Sequence, residues 1–488
     1  MLCGPGSSKT PVKSTDPNHS RPKPMSFLSR IYVWSVVFEP LMFFVLSDRS
    51  LSGLSGSVSR LLQVVVVIGL ALKILSVAVG QNSAKRLTTP SIVHPLYRNF
   101  SIYMFLAILA GMTGVVTGAY DLSITDEYNS EGTEFSRFVN GAAIRPLVEY
   151  FVAVYYFIYF AILPTYLLRR RKDVGYFLSV FKTAVVCSGV VGFVSLGLGF
   201  FDIEILPRAL ADGRVIGDNR FHGLFGEPRN AFVAVFLGLA MCHLGAYQKG
   251  IGLSKGWIVA AITAAIATQS ASGLVGLLCF TGLYILYSLG RLGVRSSLRL
   301  VGVVLSVILI IIGAFNNSGR LDTYLAAVPG LWNALENEET LPAHLELQKD
   351  DIYPLYDLIL KWRNHDILPL VLGSGFGSAS VTNNRLSLLS EGDRSGYALN
   401  EGVGVRNPHS QLVRTIYESG LIGLCFFIWA FVWPVSYLTR HLQPRLRHQF
   451  IIFSLLVLGV TLGYRSAAVF IYFGAVLAMF RSSQAAVE

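Results

Sequence analysis

The stretch LVEYFVAVYYFIYFAILPTYLLRRRK, Leu147 to Lys172, decides the fold. From Leu147 to Leu168 it is long and apolar enough for a bilayer-crossing helix, which needs about 17–25 such residues. Four cations in a row, Arg169, Arg170, Arg171 and Lys172, then close it. Apolar spans ended by Lys and Arg mark the cytoplasmic ends of membrane helices. The rest of the chain repeats this unit. Its residues are 53% hydrophobic and only 14% charged, with a mean hydropathy of +0.54. A soluble chain carries about 25% charged residues. Helices are expected over 28–47, 61–80, 101–120, 147–168, 176–199, 230–247, 256–270, 273–290, 298–315, 411–438, 450–464 and 466–481. That makes about twelve crossings by length. Val and Ile are common in these runs, but a membrane barrel needs weak alternating segments, and these runs are continuous. The expected class is an all-α polytopic membrane protein.

The loops set the orientation. Lys9, Lys13, Arg21, Lys23 and Arg30 lie at the N-terminus. Alternate connections continue the basic pattern: Lys85, Arg86 and Arg98, then Arg169 to Lys172, then Lys249 and Lys255. Arg291, Arg295 and Arg299 follow, then Arg440, Arg445 and Arg447. With an even number of crossings all of these fall on one side, which the bias in Lys and Arg makes cytoplasmic. The opposite connections are more acidic, as in Asp121 to Glu134. The net charge of +11 is mostly this loop bias, so it does not argue for nucleic acid.

The expected organisation follows. Residues 1–27 form a disordered basic cytoplasmic tail, without the apolar core of a cleaved signal peptide. Residues 28–315 hold helices one to nine, with an outer-face motif at 200–230. Residues 316–410 form a large periplasmic loop, long enough to expect function, with a helix over 352–364. Residues 411–488 hold the last three helices and a short cytoplasmic tail. Cys187, Cys242, Cys279 and Cys425 fall inside apolar runs and read as small core residues, not as disulfides or metal ligands.

Four outer-face stretches gather charge. NRFHGLFGEPRNAF (219–232) carries Arg220, His222, Glu227 and Arg229. GRLDTY carries Arg320. YDLILKWRNHD carries Arg363 and leads to the turn GSGFG at 373–377. RNPHSQLVRTIYESGLIGL carries His409, Arg414 and Glu418. Each also has an ordinary explanation. Arginines near helix ends snorkel. Arg414 and Glu418 are spaced to pair on one helix face. GSGFG lacks the G-x-G-x-x-G pattern and need only be a turn. Together they point further. Guanidinium forks bind two phosphate oxygens at once, and a histidine takes a proton near neutral pH. Arg220, Arg363, Arg229, Arg320 and Arg414 are candidates to hold a lipid diphosphate. His409 is the first candidate for the base, and Glu227 its rival.

The order GLFGEPRNAF, then GSGFG, then NPHSQLVRTIYESGLIGL resembles the bacterial O-antigen ligase and polymerase family. The residues that carry the likeness are Arg220, Gly223, Phe225, Pro228 and Asn230, then His409, Glu418, Gly420 and Gly423. The chain departs from the family pattern in three places. Ser410 follows the histidine where asparagine is usual. SASG (270–273) lacks the usual arginine, and EPRN replaces Asn-Pro-Asn. The resemblance implies a GT-C-like architecture of about twelve crossings, in the bacterial inner membrane, with the active site facing the periplasm. It implies metal-independent, inverting glycosyl transfer from an undecaprenyl diphosphate carrier, with no cofactor. Its partners would be the carrier-linked glycan, the bilayer, and flippase and chain-length regulator proteins. The G-x-F-x-E-P form is closer to the polymerases, which join carrier-linked repeat units into O-antigen or exopolysaccharide. A ligase moving the glycan to lipid A-core is the first alternative. A transporter of lipid-linked sugars is the second, with Glu39 and Lys73 as its mid-span charges.

Overall fold

The computed structural model describes residues 25–41, 58–79, 94–116, 143–199, 201, 203, 220–225, 228–289, isolated positions between 302 and 313, 349–379, 410–463 and 466–484. All regular structure among them is helical. In chain order the helices are α1 (Phe27–Phe38), α2 (Val58–Val79), α3 (His94–Val116) and α4 (Arg145–Tyr156). A π-helical turn, Phe157–Ile162, joins α4 to α5 (Leu163–Leu167). Then come α6 (Arg171–Gly199), a 3₁₀ turn at Gly223–Phe225, α7 (Pro228–Gln248), α8 (Lys255–Thr268) and α9 (Ala271–Leu289). The set ends with α10 (Lys349–Arg363), α11 (Leu368–Leu372), α12 (Gln411–Leu438), α13 (Pro444–Gly463) and α14 (Ala468–Gln484).

Eight spans among the described residues are long and apolar enough to cross a membrane, α4 and α5 counting as one; α1, α8 and α14 are shorter apolar helices. The chain is thus a helical, multi-pass membrane protein. The expected span 298–315 lies outside the described residues apart from isolated positions. So do residues 1–24 of the basic tail and most of the large loop. Three helices begin five or more residues earlier than expected, α3, α13 and α6, the last starting at Arg171 and taking Arg171 and Lys172 out of their loop. α3 starts at His94 and takes Arg98 out of its loop, laying the guanidinium over the Trp433 ring at 5.3 Å. α13 starts at Pro444, since proline suits a first helical turn, where its missing N–H has no helical partner anyway. The helix expected over 352–364 is α10.

α14 threads the middle of the bundle, touching α5, α6, α7, α12 and α13. Nearly every side chain from Ala467 to Met479 is buried. It is apolar all round, as an internal helix must be. It packs against the π-helical turn, where Pro164 offers no N–H to the Phe160 carbonyl. Gly474 lets the α14 backbone approach that carbonyl. α9 and α13 also meet through small residues: a Cβ on Gly276 would lie 2.8 Å from the Gly459 carbonyl. Close backbone approach of this kind replaces the hydrophobic effect as the glue between membrane helices.

The contacts sort the two ends of the bundle. Ser29 donates to the Leu167 carbonyl (3.0 Å). Arg171 and Gln248 bond each other across α6 and α7, and Arg481 donates to the Thr165 carbonyl. Four basic segments, near residues 30, 170, 249 and 481, therefore share one end. Arg145 starts the α4–α5 span that Leu167 finishes. At 1.5 Å per residue that is roughly 33 Å of helix, about a bilayer core. Between the ends lies a polar knot. Glu39 Oε2 accepts from Ser59 and Gln63, both at 2.7 Å. Its Oε1 pairs with Arg60 at 3.4 Å, and Arg60 donates to the Tyr156 hydroxyl at 3.1 Å. The knot ties α1 and α2 to α4. Lys73, the other mid-span charge, is exposed on α2.

Candidate functional site

The site begins with a break in α12. Gly420 sits at φ +67°, ψ −176°, inside an otherwise helical run. In a continuous helix the Tyr417 and Glu418 carbonyls would accept from residues four further on. Here they accept from the glycine turn instead: Ser374 N–H reaches Tyr417 O at 2.9 Å, and Gly375 N–H reaches Glu418 O at 2.8 Å. The turn is shaped for this. Gly373, Gly375 and Gly377 have φ of +85°, +96° and +78°, the left-handed region that glycine enters without penalty. Gly375 also lies against Gly111 of α3: a Cβ at Gly375 would run into the Gly111 backbone, and one at Gly114 into the Ser374 carbonyl. GSGFG is thus a wedge between α3 and α12.

α10 is fastened to the same helix. The Tyr417 hydroxyl donates to Asp357 Oδ2 at 2.6 Å, and Lys361 Nζ meets that oxygen at 2.6 Å. The described part of the large loop is therefore docked onto the start of α12.

A chain of four buried charges lies beneath the wedge. Arg145 pairs with Glu149 Oε1 at 2.7 Å. Glu149 Oε2 pairs with Arg414 Nη2 at 2.8 Å. Arg414 Nε donates to Glu418 Oε2 at 3.0 Å. Glu418 Oε1 accepts from Gly377 N–H at 2.9 Å. Arg414, Glu149 and Glu418 are 2–4% exposed and Arg145 8%. Two positive and two negative charges alternate, so the group is neutral as a whole, which such burial requires. The Arg414 bonds use Nε and Nη2; its Nη1 makes no hydrogen bond among the described residues.

Glu149, Arg414 and Glu418 form the head of a cleft between α3, α4, α12 and α14. Its deeper wall is aromatic, with Phe100, Tyr103, Phe427 and Phe470. Tyr156, at the floor, is the residue that Arg60 reaches from the polar knot. The cleft thus has a charged end and an apolar end, with about 70 Å³ of open space between the side chains.

The residues expected from the sequence separate into groups. Arg414 lies in this site. Its pairing with Glu418 on one helix face, the ordinary explanation, is present, but the pair also recruits Glu149 from α4. Arg363 ends α10 and is exposed. Arg220 and Arg229 are half-buried at the entry to α7. That segment packs elsewhere: Phe221 N–H donates to Ala267 O at 3.0 Å, and Leu224 N–H to Ser188 Oγ at 2.9 Å. None of its described residues lines the Arg414 cleft. His409, Glu227 and Arg320 lie outside the described residues. Ser410, where the resemblance would place asparagine, caps α12 through Val413 N–H (3.4 Å) and donates to Leu462 O (3.1 Å). Arg145 and Glu149 were not expected. The usable sign was a glutamate inside an apolar span, four residues after an arginine. No family model matches the chain, and no curated protein sequence matches it.

Proposed function

We propose that the protein is a membrane glycosyltransferase that polymerises undecaprenyl-diphosphate-linked oligosaccharide units on the periplasmic face of the bacterial inner membrane. On this reading the chain crosses about twelve times with a GT-C-like architecture. The observation that carries the reading is Arg414, buried and oriented by two carboxylates at the head of an aromatic cleft. A fixed guanidinium there can stabilise a diphosphate as it leaves. The order of the short motifs supports the same chemistry.

The reaction needs one proton transfer. The acceptor hydroxyl oxygen attacks the anomeric carbon from the face opposite the diphosphate. The bond from that carbon to the diphosphate oxygen breaks, and the configuration inverts. The hydroxyl proton passes to His409, which stands just before the α12 cap. Arg220, Arg229, Arg320 and Arg363 serve as further contacts for the two lipid diphosphates that a polymerase must hold. The test is polymer formation by purified protein from a synthetic carrier-linked repeat unit. A ladder of products from the wild type, and about tenfold less or none from Arg414→Lys, supports the reading. Movement of the labelled lipid across a vesicle membrane without any ladder would replace it with a transporter.

A further inference from the structure

We propose that Arg145 and Arg414 form an anion-binding pair for a diphosphate carried on an apolar chain, and that Glu149 is the built-in anion this ligand displaces. The inference rests on the reading above, that a lipid diphosphate enters this cleft.

The geometry makes the case. Glu149 holds two guanidiniums with its two oxygens, Arg145 at 2.7 Å and Arg414 at 2.8 Å. A phosphate group bridges two arginine forks in the same way. All of this is buried, so water cannot neutralise the arginines when the cleft is empty. An anion must be present, and Glu149 supplies it. The two carboxylates are held differently. Glu418 is fixed to the glycine wedge through Gly377 N–H and through its own carbonyl. Glu149 meets the end of the Arg145 side chain and the Nη2 edge of Arg414, whose Nε stays on Glu418 when Glu149 swings away. Glu149 also lines the cleft, so an arriving head group meets it directly. The aromatic wall below is the apolar surface a tail would meet; the open space there is about 70 Å³, so a tail enters only as those rings move aside. One carboxylate shared between two arginines is a weak competitor for a ligand with charge on two phosphoryl groups. A neutral lipid has nothing to exchange for it.

The ligand therefore opens the Arg145–Glu149–Arg414 bridge, and Glu149 sets the affinity by competing. This predicts an inverted mutational pattern. Removing an arginine weakens binding, but weakening the carboxylate strengthens it. A purely structural ion pair predicts that every variant weakens.

The experiment titrates the purified full-length protein in detergent with farnesyl diphosphate, beside farnesol and a short-chain phosphatidylglycerol. Arg145→Gln and Arg414→Gln should each weaken farnesyl diphosphate binding tenfold or more. Glu149→Gln should tighten it about tenfold. Glu149→Asp keeps the buried charge balanced but is too short to bridge both arginines, so it should tighten binding by a smaller factor. If Glu149→Gln yields no folded protein, Glu149→Asp decides. Glu149 variants that melt like the wild type yet bind no tighter would overturn the proposal. So would an Arg145→Gln protein that binds normally. Phosphatidylglycerol binding as tightly, with the same mutational pattern, would reassign the pair to a bilayer head group. No sugar is transferred in this assay. The expected pattern in a protein that makes no polymer leaves the pair standing and removes glycosyl transfer. Polymer made by a wild type whose Arg145→Gln variant binds normally removes only this pair.

Discussion

A buried guanidinium between two carboxylates is held in orientation more tightly than a lysine in the same place. Arg414 has Nε on Glu418 and Nη2 on Glu149, in one plane. An ammonium has a single nitrogen and cannot keep both contacts and a free edge. Arg414→Lys should therefore lose about tenfold or more of transfer activity at equal expression, read as polymer per protein. Arg414→Gln goes further: it takes the cation from Glu418 and leaves Glu149 with Arg145 alone, one negative charge in excess. Breaking a buried pair in this way costs about 3–5 kcal/mol, so a large fall in melting temperature is expected there. Arg220→Lys and Arg363→Lys should also lose most activity, if those forks grip phosphate; normal output from both would remove them from the clamp. For the proton, His409→Ala should abolish transfer but retain donor binding, while Glu227→Gln keeps partial activity. General-base help is worth about 10²–10⁴-fold, and the opposite result would move the base to Glu227. Arg414 was legible in the sequence because it lies in the first turn of a helix, just after a polar stretch. Glu149 was not, because it sits inside an apolar span that reads as lipid-facing. Only the fold brings Arg145 and Arg414 to its two oxygens.

At the scale of the element, the glycine wedge and the break in α12 form one device. GSGFG taken alone reads as an ordinary turn. Its purpose emerges only beside Gly420, 43 positions beyond Gly377 in the chain, where two helical carbonyls have lost their usual donors. Gly420→Ala should destabilise the protein strongly. The backbone conformation alone costs a residue with a Cβ about 1–3 kcal/mol, and the added carbon would lie 2.7 Å from Gly373 N. Thermal unfolding in detergent checks this, and an unchanged melting temperature would mean that α12 runs straight. Tyr417→Phe removes a hydroxyl from a buried carboxylate, a change of about 1–3 kcal/mol. The loss falls at the low end because Lys361 stays on Asp357. Its effect should be local: faster proteolysis within α10, with the rest of the bundle as resistant as before. Helix positions themselves were largely readable, since length and continuous apolarity set them. Their starts were less so. α3 and α13 begin with polar residues, and Arg98 enters α3 because Trp433 offers its ring.

At the scale of the molecule, the basic segments gather at one end of the bundle, one span's length from Arg145. On the proposed reading, the bias in Lys and Arg puts that end in the cytoplasm. In a cysteine-free background, Ser395→Cys should then react with an impermeant thiol reagent in spheroplasts, and Gln443→Cys should not. Equal or reversed labelling would invert the molecule and put the ion chain on the wrong face. The multi-pass class was plain in the sequence, since a mean hydropathy of +0.54 leaves few alternatives. The site was only half plain. Sequence order placed the arginine-bearing stretches on one face, but packing divides them, with Arg220 beside α6 and α8 and Arg414 beside α4. A polymerase handles two lipid-linked substrates, so two separate arginine groups fit the proposed chemistry. The most direct test of the whole account is a single assay. Purified protein in a bilayer disc is given a synthetic carrier-linked repeat unit, and the products are separated by size. The account predicts a ladder of joined units from the wild type, about tenfold less or none from Arg414→Lys, and equal folding of the two. A ladder of the same yield from Arg414→Lys, or a folded wild type that joins no units, would contradict it.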